Sequence, residues 1–105
     1  MNCSEQQLVD CTYAATYDGC NGGDHHDPWN YLFKNGLQPS STYAYSSGTT
    51  GKDSTCKYAS SKVYARLANT GTDLPQNETA IQAALVAKGP ITFAYYVSNS
   101  FYSYK

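Results

Sequence analysis

Hydrophobic positions fall at helical spacing in three stretches of the 105-residue chain and alternate in a fourth. Ser4-Glu5-Gln6-Gln7 reads as a capping box: the Ser4 hydroxyl accepts from the Gln7 N–H while the Gln7 side chain reaches back. Leu8 and Val9 supply an apolar side, so the pattern predicts a helix over residues 5–11. The periodicity is lost over 12–23, where Asp18-Gly19 and Gly22-Gly23 punctuate a loop. Asp27-Pro28 predicts a second helix start, with Asp27 as N-cap and Pro28 at the first helical position. Trp29, Leu32 and Phe33 then form one stripe, and Asn35-Gly36 ends it. Residues 37–57 read as a long loop, and 62–67 as a short strand. A third helix is expected over 78–88, with Asn77 or a neighbour as cap, Ala80, Ile81, Ala84 and Leu85 facing inward, and Gly89-Pro90 as the stop. Ile91, Phe93, Tyr95 and Val97 alternate with Thr92, Ala94 and Tyr96, the strongest strand signal in the chain. Helices early and strands late predict an α+β class rather than a repeating βαβ sheet.

Composition narrows the function classes. A net charge of -1 leaves no electrostatic footprint for nucleic acid or for an anionic membrane surface. With 41% hydrophobic and 14% charged residues the chain reads as globular. No apolar run approaches the roughly 20 residues that cross a bilayer, and residues 2–7 are polar and carry no signal-peptide pattern. Eleven tyrosines suit half-wet strand surfaces, where a large ring packs and its hydroxyl stays in water.

Four cysteines stand at positions 3, 11, 20 and 56. None forms Cys-x-x-Cys, so zinc and thioredoxin-like readings are weak, and an even count with wide spacing favours disulfides in an oxidising compartment. Spacing leaves all three pairings open. Asp24-His25-His26-Asp27 raises a metal site, but adjacent side chains seldom converge on one ion and no distant ligand is evident; neither a metal nor a cofactor is expected. Asn77-Glu78-Thr79 fits an N-glycosylation acceptor, in competition with Asn77 as helix cap.

Three stretches together resemble the papain-type cysteine peptidases. Ser4-Glu5-Gln6-Gln7-Leu8-Val9-Asp10-Cys11 is close to that family's SEQ-x-L-x-DC helix. Gly19-Cys20-Asn21-Gly22-Gly23 is its GCNGG loop. Gly89-Pro90 leading into Ile91-Thr92-Phe93-Ala94, with Phe101 and Tyr104 beyond, resembles its GP-strand and F-x-x-Y segment. Trp29-Asn30-Tyr31 to Leu37, and Tyr43-Ala44-Tyr45 followed by Thr55-Cys56-Lys57-Tyr58, match less closely, with Ala44 where a proline is usual. The order and spacing agree over nearly the whole chain.

The resemblance implies a partial two-lobe α+β fold: residues 1–105 form an incomplete peptidase domain, about 1–60 from the helical lobe and about 61–105 from the start of a β-barrel-like lobe. It implies a peptide or protein substrate and a lysosomal, vacuolar or secreted parent. It places the nucleophilic cysteine upstream and the general-base histidine downstream of these residues, so no catalytic residue is expected within them and the chain alone is expected to be inactive. Gly23 matches the position whose N–H and C=O pair with the substrate, Gly22 supplies the turn, and Asp24, His25 and Ala94 align with walls of the main specificity pocket. Asp24 and His25 are polar where family members are usually apolar, which implies a polar or basic side-chain preference. Cys11 is implied to pair with Cys56, and Cys20 with a cysteine outside this sequence. Cys3 is expected as a small buried thiol, a Cys3–Cys20 bridge being the alternative. A non-catalytic or truncated relative that binds peptides, and a secreted disulfide-stapled binding module, are the rival readings. With a main packing partner absent, weak autonomous stability is expected.

Overall fold

The computed structural model describes residues 2–105. The chain divides into two compact units, one ending at Gly71 and the other Thr72–Lys105.

In the first unit, α1 (Glu5–Cys11) forms where the sequence places it. Ser4 caps it, accepting from the Gln7 N–H at 3.0 Å and donating to the Tyr43 carbonyl at 2.8 Å. The capping box is only half realised. The Ser4 N–H donates to the Gln38 carbonyl instead, so the Gln7 side chain is released for other work. Leu8 and Val9 are half-buried, while Gln6, Gln7, Asp10 and Cys11 are buried. The helix therefore packs on its polar face.

The reason lies in residues 36–59, which run without a ladder of their own. Buried backbone groups must find partners somewhere, and α1 supplies them. Gln6 Oε1 accepts from the Ser46 and Ser47 N–H groups at 2.9 and 2.8 Å. The Gln7 amide donates to the Gly36 carbonyl and the Tyr31 hydroxyl, both at 3.0 Å, and accepts from the Gln38 N–H at 2.8 Å. Asp10 accepts four hydrogen bonds of 2.8–2.9 Å, from the Gln6 amide, the Tyr43 hydroxyl and the N–H and hydroxyl of Ser54. Gln38 extends the network, its Oε1 accepting from the Ala59 N–H at 2.7 Å. The Cys11–Cys56 disulfide closes the same face across 45 residues, worth about 3–4 kcal/mol by loop-closure entropy.

The second helix, α2 (His26–Asn35), begins one residue before the predicted cap. Asp24 explains the shift. Its carboxylate accepts from the His26 N–H at 2.8 Å and satisfies an orphan donor of the first turn. Asp27 falls inside that turn and accepts from the Thr16 hydroxyl instead. Pro28 still sits in the first turn, where its missing N–H costs nothing. A single helical turn, α3 (Ser47–Thr50), interrupts the long loop. The strand expected over 62–67 contracts to one bridge, Leu37 to Ala65, preceded by a 3₁₀ turn at Ser60–Lys62.

The second unit holds α4 (Glu78–Lys88), capped by Asn77 as expected. Of its predicted inner face only Ala84 is buried; Ile81 is 36% exposed and Leu85 44%. No strand forms over 91–97 among the described residues, contrary to the alternating pattern. Alternation fits a pleated segment, but a strand also needs a neighbour to complete its ladder, and this unit offers none. The pattern leaves a trace: the Phe93 and Tyr95 rings stack at 5.9 Å, and Phe101 meets Tyr95 edge-on at 5.9 Å. Phe93 is 73% exposed and Tyr96 91%.

The buried network sets the pH range of the first unit. Burial pushes the Asp10 carboxyl up, but the hydrogen bonds from Ser54, Gln6 and Tyr43 outweigh it and hold Asp10 below its ordinary 3.8. Burial, with Asp10 beside it, pushes the Tyr43 phenol up to about 12. A depressed carboxyl stabilises the fold above its unfolded value and loses that contribution as pH falls through its folded value. A raised phenol stabilises below its unfolded value of 10.0 and loses that contribution as pH climbs to about 12. Urea midpoints are expected to be level between these limits and to fall on both sides. Asp10→Ala is expected to lower stability by about 3 kcal/mol, because it strands several buried donors, and to flatten the acid limb.

Candidate functional site

The loop after α1 folds back on itself. Tyr17 bridges to Ala14 on one side and to Gly23 on the other, both antiparallel. A 3₁₀ turn, Gly19–Asn21, reverses the chain between them. The Asn21 N–H donates to the Asp18 carbonyl at 2.8 Å and its side-chain amide donates to the Asp18 carboxylate at 3.0 Å. Gly22 carries φ +100°, a conformation that side chains rarely adopt, and so completes the reversal.

The bonds on either side of Gly23 fix which way its backbone faces. Asp18 N–H donates to the Gly22 carbonyl at 2.9 Å, and Asp24 N–H donates to the Thr16 carbonyl at 3.2 Å. These bonds flank the Tyr17–Gly23 pair, which makes it the non-hydrogen-bonded kind. The N–H and C=O of Gly23 itself thus point away from Tyr17, and Gly22 and Gly23 are both exposed. On the inner side there is no room. A Cβ at Gly23 would lie 2.4 Å from Tyr17 Cδ2, 2.7 Å from its Cα and 2.8 Å from the Thr16 carbonyl oxygen. Glycine is required here by the strand at its back, a constraint that the bare Gly-Gly signal did not reveal.

Asp24 and His25 continue this edge into α2. Asp24 is exposed; hydrogen bonds from the His26 N–H and ring hold its carboxyl below the ordinary 3.8. The His26 ring nitrogen lies 2.7 Å from the Asp24 carboxylate and that of His25 4.0 Å. The two imidazoles stack at 4.4 Å, and Trp29 meets them edge-on at 5.4 and 6.0 Å. Ligand atoms of Asp24, His25 and His26 thereby come within 4.8 Å of one another. Adjacent side chains seldom converge, but the turn that opens α2 brings these together, with Asp24 gripping the first N–H of the helix.

Cys20 is exposed and Cys3 half-buried; both are free thiols, so the alternative Cys3–Cys20 bridge does not form. Cys20 lies near Tyr17, whose phenol is raised above 10.0 by burial and then by the neighbouring thiol. Ala94 is exposed and belongs to the second unit, within 91–97. Sequence reasoning also missed a cleft of about 420 Å³ beside α1 and α2, lined among others by Thr12, Tyr13, Asp27, Tyr31 and Lys34. Thr12 Oγ1 is buried there without a hydrogen-bond partner. Nothing in the polar stretch that contributes these residues marks a cleft.

Comparison with known proteins assigns the class. The family model for papain family cysteine proteases matches residues 1–105. Cysteine proteinase 1 of Dictyostelium discoideum is 36% identical over 100 residues, covering 87% of this chain and 28% of that protein. Procathepsin L of Mus musculus is 39% identical over 105 residues, covering 95% and 30%. Thiol protease aleurain of Arabidopsis thaliana is 37% identical over 103 residues, covering 97% and 28%. Among solved structures, digestive procathepsin L 3 from the larval midgut of Tenebrio molitor superposes with a TM-score of 0.69 at 28% identity, over 83% of this chain and 27% of that one. The chain belongs to the papain family of cysteine proteases. It spans about three tenths of the length of the relatives it matches.

Gly23→Ala tests the packing directly. The added methyl is expected to force Tyr17 and Gly23 apart, at a cost of about 1–3 kcal/mol. Amide exchange at Asp18 and Asp24, the two donors flanking the pair, is expected to speed up. Unchanged protection at both would contradict the close contact.

Proposed function

We propose that this chain supplies one side of the substrate groove of a papain-type cysteine peptidase that hydrolyses peptide bonds in its full-length form. One observation carries the reading: the N–H and C=O of Gly23 face away from Tyr17 on an exposed edge. An extended peptide adds to such an edge as a strand adds to a sheet, through main-chain hydrogen bonds. The chemistry of the parent is thiolate attack on the carbonyl, an acyl-enzyme, and its hydrolysis, by groups outside residues 1–105. In this reading residues 1–60 and 61–105 contribute to two lobes. Cys20 is a half-cystine whose partner also lies outside this sequence, and the parent works in a lysosome or vacuole or outside the cell. The Cys11–Cys56 bridge suits such an oxidising compartment.

Asp24 and His25 are assigned to a wall of the main side-chain pocket. The Asp24 carboxylate supports a preference for polar or basic side chains, because it is exposed and the hydrogen bonds it accepts from His26 favour its anionic form. The full-length protein provides the test. N-methylation of the substrate residue that pairs with Gly23 removes its donor, and kcat/KM is expected to fall about tenfold to a hundredfold. An unchanged rate would sink the edge. A peptide library is expected to favour Lys, Arg or polar residues at that position, and a strong preference for Leu or Phe would remove Asp24 and His25 from the pocket.

A further inference from the structure

We infer that Asn77 is a site of N-linked glycosylation, and that it carries the glycan on Nδ2 while its Oδ1 continues to cap α4. Asn77-Glu78-Thr79 provides the acceptor pattern. The two roles compete for one side chain on paper, but the structure separates them by atom. The Ala80 N–H, 2.8 Å away, is a donor and takes the oxygen as its partner. That leaves the amide nitrogen outside the cap. Asn77, Glu78 and Thr79 are all exposed, so both the acceptor nitrogen and the hydroxyl two residues on are open to a transferase.

The chain holds a second match to the same pattern, Asn2-Cys3-Ser4, and it differs in the respect that matters. Ser4 is 1% exposed, its hydroxyl donating to the Tyr43 carbonyl and accepting from the Gln7 N–H. Folding of the first unit withdraws that hydroxyl, whereas Thr79 stays open.

The transfer balances with a lipid-pyrophosphate-linked oligosaccharide as donor. The bond from the sugar's anomeric carbon to the pyrophosphate oxygen breaks, the bond from that carbon to Nδ2 forms, Nδ2 loses one proton, and the lipid pyrophosphate leaves. The amide oxygen takes no part, so the cap survives. The inference goes beyond the groove reading and depends only on passage through a glycosylating secretory compartment.

The test routes the full chain through a eukaryotic secretory pathway with an appended signal peptide, so the natural destination is not at issue. Peptide mapping after peptide-N-glycosidase treatment in heavy-oxygen water is expected to find labelled Asp at position 77, at higher occupancy than at position 2. Thr79→Val is expected to abolish the modification and keep the cap. Asn77→Asp is expected to do the same, since aspartate also caps. Amide exchange of Ala80 is expected to be equal in the glycosylated chain and in Asn77→Asp. An unmodified Asn77, or occupancy at Asn2 equal to or above it, would overturn the site. Faster Ala80 exchange in the glycosylated chain would overturn the shared role.

Discussion

A buried carboxylate with every lone pair engaged organises the first unit. Asp10 sits at 1% exposure among donors from its own helix and two other parts of the chain, and Gln6 and Gln7 beside it are equally enclosed. The buried hydrophobic side chains among the described residues are few, Cys11, Tyr43 and Ala84, and none is as fully enclosed as these three polar ones. Specificity in residues 2–71 therefore comes from polar satisfaction more than from jigsaw packing. Such a network is unforgiving, because removing one member leaves the others desolvated and unpaired. Its geometry resembles a sheet edge built from side chains: the glutamine amides of α1 meet loop N–H and C=O groups as a neighbouring strand would.

That arrangement reaches the glycine edge through the second half of the loop. Gln6 holds Ser46 and Ser47, Asp10 holds Ser54, and the disulfide holds Cys56. Asp53 is thereby brought against the 3₁₀ turn, where a Cβ on Gly19 would lie 3.1 Å from the Asp53 Cβ. The turn in turn presents Gly22 and Gly23. A contiguous run of contacts thus joins the side-chain network to the backbone edge.

The sequence made the helices legible because their signals are local. Residues 5–11 and 78–88 announce themselves by a cap, a period and a stop, and both helices keep those bounds. The strand over 91–97 did not form because its stability depends on a neighbour, which no property of the seven residues can supply. The polar packing face of α1 was hidden for a related reason. Leu8 and Val9 mark the apolar side of α1, and only the unladdered loop gives Gln6, Gln7 and Asp10 a reason to be buried. At the candidate site, motif resemblance located Gly22 and Gly23, but only the bonds flanking the Tyr17–Gly23 pair gave the edge a direction. The convergence of adjacent Asp24, His25 and His26 was hidden because it depends on the turn that opens α2, which Asp27-Pro28 misplaced by two residues.

Trp29 is the sole tryptophan of the chain, and its ring stands edge-on to both histidines that continue from Gly23. Imidazoles quench indole emission, most strongly when charged. Tryptophan emission, excited beyond the absorption of the eleven tyrosines, is consequently a local optical gauge, tuned to the neighbourhood of one loop. Whatever seats itself along that rim and nudges either ring will register as a change in brightness, with no label attached.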